Sequence, residues 1–307
     1  MKHHAIIRTK EDWVVDTIIY FILSLVLVTT LYPFLNVLAL SLNDGLDSMR
    51  GGITIWPREF TTHSYKMILS DTTIYSATLV SVKRTLLSTT LNVIVTVITG
   101  YLLSRKEFVL RRFMNLLLVF TMYISAGLVP SYLLIKELHL IGSFWVYVVP
   151  SLVSVFNIMI VRTYIEGLPE SFVESARIDG ASEFKIIFRI IVPLIVPVIA
   201  VIVLFVVIQN WNSWFDTFIY GNGKKSMMTL QYKLMEILAS TNIEVSSNNA
   251  AAAAADAAAA AAQHGESITP ESVRTAMTII VALPVIILYP FLQRYFVSGM
   301  TLGGVKE

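Results

Sequence analysis

Long apolar runs alternate with short polar segments along this chain of 307 residues. A membrane-spanning helix needs about 20 largely apolar residues. By that measure, spans are predicted at residues 18–40, 85–103, 113–135, 144–164, 190–208 and 276–295. The pattern therefore predicts an all-α integral membrane protein with about six transmembrane helices.

The composition agrees with this class. Hydrophobic residues make up 55% of the chain and charged residues 14%, and the mean hydropathy is +0.70, whereas an average soluble domain carries about 25% charged residues. The chain has no cysteine, which excludes disulfides and thiolate chemistry. Its net charge of +2 is too small to indicate a nucleic-acid partner. The basic start precedes an apolar run that is too long for a signal-peptide core, so we expect the first span to be uncleaved.

Positive charge is distributed unevenly between the loops. The short loop after the second span carries Arg105, Lys106, Arg111 and Arg112, whereas the loop after the third span has only Lys136. Because short basic loops stay in the cytoplasm, we expect a cytoplasmic N-terminus (1–17), a transmembrane domain (18–299) and a cytoplasmic tail (300–307). Lys83 and Arg84 lie at the outer edge of the second predicted span, where we expect them to reach the membrane surface or to pair.

Residues 166–189 interrupt the apolar pattern with eight charges: Glu166, Glu170, Glu174, Arg177, Asp179, Glu183, Lys185 and Arg189. Each charge at a bilayer centre costs about 2.5–3.5 kcal/mol on insertion scales, so this segment must lie in water. Residues 174–178 and 183–190 are predicted to form two short helices, and Gly180 between them can turn the chain. A folded, charged loop of this kind is a natural docking surface for a soluble partner.

Two further segments are predicted to lie outside the membrane on the other side. Residues 42–80 are expected to contain short helices. The loop 209–271 opens with a tryptophan-rich motif, followed by MTLQYKLMEIL, which is typical of an amphipathic helix. The alanine tract at Ala250–Ala262 is interpreted as a tolerated surface insertion, with a dedicated binding element or an engineered segment as alternatives.

Motifs for chemistry within this chain are missing or incomplete. The segment GNGKKS at 221–226 resembles a phosphate loop, but Phe218 replaces the first glycine and Lys225 stands where Ser or Thr is required. We therefore predict a turn there. All five histidines fall outside the predicted spans, and none of those spans holds a pair of aspartates, so no catalytic or metal site is predicted. Because no ionisable residue lies in the middle of a predicted span, an energy source outside the bilayer is favoured.

Polar residues within or at the ends of spans are candidates for a translocation pathway. Polar groups there are costly and usually face the interior of the helix bundle. The candidates are Asn92, Asn157, Gln209 and Asn210. The alternative is that each makes an interhelical hydrogen bond without contacting a substrate.

Residues 174–181, ESARIDGA, followed by IVP at 191–193, resemble the cytoplasmic signature of ABC importer permeases. That signature is E-A-A-x-x-x-G, then about nine residues, then an I-x-L-P-like end. Ser175 replaces the second alanine and Val192 the common leucine. Asp179 before the glycine is similar to the carbohydrate branch, the maltose-type permeases.

Other motifs extend this resemblance over nearly the whole chain. GYLLSR at 100–105 is similar to the family's A-Y-x-x-S-R motif, and the glycine-containing tail at 299–306 also fits. WNSWFD at 211–216 and YPF at 289–291 resemble a subgroup that handles complex oligosaccharides, such as alginate- or pectin-derived sugars.

The resemblance implies a permease subunit of an ATP-driven, binding-protein-dependent oligosaccharide importer in a bacterial inner membrane. It implies a second homologous permease, two ATPase subunits and an extracytoplasmic solute-binding protein, with ATP and Mg held by the ATPases and no cofactor in this chain. The 166–189 loop would then be the coupling loop, which transmits ATPase closure to alternating access. The open alternatives are an ABC permease for another solute, a self-contained channel or carrier, and an intramembrane enzyme.

Within that loop, the resemblance assigns ATPase coupling to Glu174, Ser175, Ala176, Asp179, Gly180 and Ala181. The two acidic residues would cap helix starts or pair with ATPase cations. The glycine would permit the turn, and the two alanines would allow close approach.

Overall fold

The computed structural model describes residues 10–246 and 268–303. Residues 1–9, 247–267 and 304–307 lie outside this part of the chain, and with them the alanine tract at Ala250–Ala262. Within the described ranges, the chain divides into two compact units, one from residues up to 70 and 237–280 and the other from residues 71–236 and 281 onward.

The described residues are almost entirely helical, as predicted. The α-helices are α1 (Lys10–Ser41), α2 (Gly45–Met49), α3 (His63–Ser70), α4 (Thr72–Ser104), α5 (Arg111–Tyr123), α6 (Leu128–Glu137), α7 (Val155–Glu166), α8 (Ser171–Ile178), α9 (Glu183–Ile186), α10 (Val192–Leu194), α11 (Val196–Asn212), α12 (Phe215–Tyr220), α13 (Leu230–Ser246) and α14 (Pro270–Gly303). Shorter 3-10 turns lie at Phe144–Tyr147, Val149–Ser151 and Lys225–Met227, and a π-helical turn spans Ile187–Ile191. Apart from one bridge between Asn43 and Phe60, the described ranges contain no β-structure.

Among the described residues, three helical stretches are long and apolar enough to cross a membrane: Glu11–Ser41, Thr72–Ser104 and Pro270–Pro290. Two bent pairs raise the number to five if each pair is one span. One pair joins Phe144–Ser151 to Val155–Glu166 at 42°, and the other joins Glu183–Leu194 to Val196–Asn212 at 85°. The predicted spans 144–164 and 190–208 are therefore interrupted helices.

Prolines explain the sharper of the two bends. Pro193 lies at the start of α10 and Pro197 at the start of α11, with Ile195 between the two helices. Each proline removes a backbone amide donor and clashes with the preceding turn of a continuing helix. The chain therefore bends at this point and does not continue as one rod.

The predicted third span, 113–135, is also divided. Helix α5 ends at Tyr123, Ile124 is extended, and α6 begins only at Leu128. Gly127 separates them at φ 81° and ψ −178°, a conformation that is essentially confined to glycine. The prediction of one continuous helix here is wrong, because the segment is apolar throughout and its hydropathy does not show where the helix ends.

Helix α4 begins thirteen residues before the predicted span. The Asp71 carboxylate accepts hydrogen bonds from the Thr73 backbone amide (2.8 Å) and hydroxyl (2.7 Å), which caps the helix start. These bonds from Thr73 hold the pKa of Asp71 below its ordinary value. Lys83 and Arg84 therefore lie well inside a helix and not at its edge.

In the second unit, the apolar core is built mainly by α4, α7, α11 and the residues around the π-helical turn. Its fully or nearly fully buried members include Tyr101, Val161, Ile165, Ile186, Ile191, Ile195 and Ile202. Helices α4 and α7 approach closely at Gly100, where an added Cβ would lie 2.9 Å from Val161 Cγ1. This core supports the first of the two candidate sites described below.

Residues 42–70 of the predicted outer segment 42–80 lie in the first unit and contain the short helices α2 and α3, as expected, whereas its last residues form the start of α4. Asn43 is fully buried and donates to the Asp47 carboxylate at 3.0 Å. Arg58 donates to the same carboxylate at 3.0 Å. The bond from Asn43, with help from Arg58, lowers the pKa of Asp47. These bonds order the segment between α1 and α3.

Candidate coupling surface and polar cleft

The predicted turn at Gly180 is present in the charged segment 166–189. Helix α8 ends at Ile178, Asp179 is its C-cap residue, and Gly180 has a φ of +74°. The Gly180 amide donates to Arg177 O at 3.0 Å and the Ala181 amide donates to Ala176 O at 2.9 Å. This pair of bonds is the Schellman motif, which requires a residue in the left-handed region. The second predicted helix is a single α-helical turn, α9, continued by the π-helical turn.

The segment divides into a buried face and an exposed face. Val173 and Ala176 pack into the core of the second unit, and Ala181 packs against it. On the outer face, the exposed fractions are 46% for Phe172, 87% for Ile178 and 69% for Phe184. Large apolar side chains exposed within a segment that must lie in water are typical of a protein-binding site. We call residues 171–184 the coupling surface.

Two assigned roles need correction. Asp179 lies at the C-terminal end of α8 and not at a helix start. Glu174 lies in the first turn of α8, but the N-cap residue is Glu170, and its side chain makes no capping bond. Glu174, Ser175 and Asp179 are all exposed. Capping is therefore excluded for Asp179, whereas pairing with an external cation stays a prediction for both acidic residues.

Polar bonds connect the coupling surface to the end of α4. The Tyr101 hydroxyl donates to Glu183 Oε2 at 2.6 Å, and its ring is buried. Arg177 donates to Glu183 (3.2 Å) and to Glu107 (3.0 Å). The bond to Glu107 raises the pKa of Arg177. The coupling surface is thus joined to a long helix through charged hydrogen bonds, which are stronger than neutral ones.

We expect Tyr101→Phe to lower transport while leaving assembly with partner subunits intact. The ring stays in its buried site, and only the bond to the Glu183 carboxylate is lost, which is worth about 1.5–3 kcal/mol for a charged partner. The ratio of solute transported to ATP hydrolysed, measured in proteoliposomes, should fall several-fold. Tyr164→Phe is the matched control, because Tyr164 packs against the same core; an equal effect in both variants would contradict a coupling role for Tyr101.

The basic loop after α4 lies on the same side of the second unit as the charged segment 166–189. Lys106 contacts Glu170 at 3.2 Å, and Arg111 contacts Glu166 at 2.7 Å. The predicted topology required these two loops to share one side of the membrane. Their direct ion pairs agree with that requirement.

A cleft of about 410 Å³, lined by both polar and apolar side chains, lies elsewhere in the second unit. We call it the polar cleft after its polar groups. Its lining includes Arg84, Tyr147, Ser151, Gln209, Asn210, Ser213, Asp216 and Tyr220. Of the four predicted pathway residues, Gln209 and Asn210 line this cleft, whereas Asn92 and Asn157 do not. Asn210 is buried and donates to Val206 O at 2.9 Å, and Gln209 is exposed.

Asn92 has a structural position. It is buried, and its side-chain amide donates to Ser151 O at 2.7 Å, at the break before α7. Its Oδ1 accepts from the Thr96 hydroxyl at 3.3 Å. Asn157 is also buried, in the first turn of α7. For Asn92 the interhelical hydrogen bond is therefore the better interpretation.

We expect Asn92→Leu to destabilise the protein by about 1–3 kcal/mol, because the buried Asn92 amide is lost and the half-buried Ser151 carbonyl would lose its donor. The melting temperature of the detergent-purified protein should fall. Thr90→Val provides the control, since the Thr90 hydroxyl bonds only to Leu86 O within its own helix and is exposed. An unchanged melting temperature in Asn92→Leu would show that the bond does not hold the break.

Arg84 is the buried partner in an ion pair that its position at the edge of the predicted span does not indicate. It is only 2% exposed and donates to Ser213 O at 3.1 Å. It pairs with Asp216, and its guanidinium lies over the Tyr147 ring at 4.6 Å from the centroid. Of the two expected roles, pairing is the one observed. The available signal was Asp216, an acidic residue within the tryptophan-rich motif.

The segment at 221–226 is a turn, as predicted. Asn222 and Gly223 have φ values of 52° and 67°, and Lys224 donates to Gly142 O at 3.0 Å. Lys225 begins a three-residue 3-10 turn and not a long helix. A phosphate loop needs a helix at that point, so the geometry does not suit a nucleotide.

Comparison with known proteins adds independent information. Residues 6–302 match the family model described as the binding-protein-dependent transport system inner membrane component. Among curated relatives from Bacillus subtilis (strain 168), the polygalacturonan/rhamnogalacturonan transport system permease protein YtcP is 29% identical over 95% of this chain and 98% of its own length. Protein LplC, from the same organism, is 30% identical over 99% of this chain and 98% of its own.

A solved structure shows the same fold. A chain of a bacterial ABC transporter involved in the import of the acidic polysaccharide alginate matches with a TM-score of 0.82 and 25% identity, covering 94% of this chain and 99% of its own length. The resemblance to ABC importer permeases is thereby confirmed. The chain belongs to the binding-protein-dependent transport system inner membrane component family, and it is a transporter permease and not an enzyme.

Proposed function

We propose that this chain is one of two permease subunits of an ATP-driven oligosaccharide importer in a bacterial inner membrane. Two of the similar proteins support this cargo. One curated relative is named for polygalacturonan and rhamnogalacturonan, and the solved structure is that of an alginate importer. Both names refer to carbohydrate polymers. Sugar oligomers derived from such polymers are the cargo that we assign to this chain.

The observation that carries the proposal is the coupling surface. Ile178 and Phe184 are exposed next to the Gly180 turn, in a charged segment that cannot enter lipid. A cleft in an ATPase subunit would cover them. Two ATPase subunits would hold ATP and Mg, and this chain would bind no cofactor. Glu174 and Asp179 would face cations of the ATPase.

Movement of the ATPase would then reach the membrane helices through the bonds already described. Tyr101 joins the surface to α4 through Glu183, and Arg177 joins it to Glu107. The buried residues Val173 and Ala176 fix the same segment to the core. A displacement of the coupling surface would therefore move α4 together with the core, which is what alternating access requires.

Orientation follows from the charge distribution. The loop at 105–112 and the coupling surface are joined by the ion pair between Glu107 and Arg177, and short basic loops remain in the cytoplasm. Both termini would then be cytoplasmic. Segments 42–80 and 209–271 would lie outside, where the solute-binding protein delivers its cargo.

The test is reconstitution of the complete importer in proteoliposomes, with both permeases, the two ATPases and the binding protein. We expect uptake of labelled oligogalacturonides only when ATP and Mg are on the side of the membrane that carries the ATPase subunits and the binding protein is on the opposite side. Uptake by this chain without ATPases would indicate a self-contained channel or carrier. ATP-driven uptake restricted to a non-carbohydrate solute would refute the proposed cargo alone.

A further inference from the structure

The polar cleft has the size of a small-molecule site, and it presents polar side chains among apolar ones. Its volume of about 410 Å³ falls within the roughly 300–1,000 Å³ of small-molecule sites. The half-buried ring of Tyr220 lines it, and Tyr132 stacks on Tyr220 with ring centroids 6.1 Å apart, whereas Tyr147 is only 1% exposed and lies behind the surface of the cleft. Aromatic rings with amides beside them suit a sugar ring, which has apolar C–H faces and a rim of hydroxyl groups.

The two charged side chains of the cleft differ in how accessible they are to an entering ligand. Arg84 and Asp216 are its ionisable residues of opposite sign, and they pair with one another. The Arg84 side chain is 3% exposed, whereas the Asp216 side chain is 36% exposed. The guanidinium is also covered by the Tyr147 ring. A ligand therefore meets the carboxylate and not the guanidinium.

The carboxylate has an oxygen available for that ligand. Asp216 Oδ2 accepts from Arg84 and from the Ser213 hydroxyl, the latter at 2.8 Å. No described residue donates a hydrogen bond to Oδ1. Gln209 is exposed on the same cleft, and its amide makes no hydrogen bond to the described part of the chain. A carboxylate accepts hydroxyl hydrogens in strong, charge-assisted bonds, and it repels another carboxylate.

We propose that Asp216 and Gln209 bind ring hydroxyls of one saccharide unit in this cleft, that Arg84 positions Asp216, and that the subsite favours an uncharged sugar unit over a carboxylated one. The inference rests on the proposed function, because it assumes that an oligosaccharide is the cargo. The names of the relatives refer to acidic polysaccharides and would instead suggest a subsite in which a cationic side chain binds sugar carboxylates.

The experiment measures binding to the purified permease–ATPase complex without the solute-binding protein, so that only the membrane subunits contribute. The probes are labelled trigalacturonate and the same trisaccharide with every carboxylate methyl-esterified. We expect the esterified form to bind more tightly to the unmodified complex. Asp216→Asn should weaken its binding about tenfold, since a charge-assisted bond is about twice as strong as a neutral one. The preference for the ester should shrink in this variant.

A second variant keeps the test independent of folding. Gln209→Leu removes an exposed amide with no bond in the described structure, and it should weaken binding of both probes by about two- to tenfold, the worth of one neutral hydrogen bond. Glu137→Gln is the control, because Glu137 is an exposed carboxylate that does not line the cleft. It should leave binding unchanged.

Three results would overturn the proposal. The first is tighter binding of the acid form than of the ester by the unmodified complex. The second is unchanged binding of both probes in Asp216→Asn and Gln209→Leu, and the third is transport of the probes by a complex that binds neither. Absence of any oligosaccharide uptake by the complete importer would instead refute the proposed function.

Discussion

Replacing Gly180 with proline is expected to abolish both transport and co-purification of the ATPase while leaving membrane insertion intact. Gly180 has a φ of +74°, and its amide donates to Arg177 O at 3.0 Å. Proline fixes φ near −65° and has no amide hydrogen, so the turn after α8 cannot form. Ile178 and Phe184 would then lose their relative positions on the coupling surface. Affinity for the ATPase should fall at least tenfold, which corresponds to about 1.4 kcal/mol.

Gly51→Pro provides a matched control. Gly51 has a φ of +73°, its amide donates to Ser48 O at 3.1 Å after a short helix, and nothing lies within 4 Å of its added Cβ. The same is true of the space around Gly180. The local backbone cost is therefore similar, but Gly51 lies outside the coupling surface. If Gly51→Pro also lost the ATPase, or if Gly180→Pro retained it, the coupling assignment would fail.

Local chemistry explains which features could be predicted from the sequence. The turn at Gly180 depends on residues 176–181 alone, since a Schellman motif is closed by bonds within one short segment. The start of α4 is also local, because Asp71 caps it through Thr73. A hydropathy window does not locate this start, because it responds to apolar residues and not to a polar cap. Apolar runs indicate where spans lie, because hydropathy reports apolar content. They do not show the break at Gly127, because hydropathy does not report backbone conformation.

Contacts between distant segments could not be predicted in this way. Arg84 and Asp216 are separated by 132 positions, and Asn92 and Ser151 by 59. Nothing in the residues near Asn92 distinguishes a structural amide from one in a pathway. The packing of α4 against the interrupted span 144–166 shows that Asn92 is a structural amide. The cleft itself exists because α11 ends at Asn212 and brings Ser213 and Asp216 to Arg84.

The Arg84–Asp216 pair should show an unequal response to removal of its two members. Asp216→Leu leaves a guanidinium that is 3% exposed without its counter-ion, and breaking a buried pair in this way costs about 3–5 kcal/mol. Arg84→Met leaves a carboxylate that is 36% exposed and keeps a bond from Ser213, so its cost should be smaller, about 1–3 kcal/mol.

The double variant, Arg84→Met with Asp216→Leu, should recover most of the lost stability because no unpaired charge remains. Melting temperatures of the purified complex are expected to rank Asp216→Leu lowest, then Arg84→Met, then the double variant. Residues in one ion pair give non-additive effects, so additive losses would show that the two charges do not stabilise each other. A recovered melting temperature with sugar binding still lost would separate the two properties of the pair: Arg84 holds Asp216 in place, and Asp216 faces the cleft.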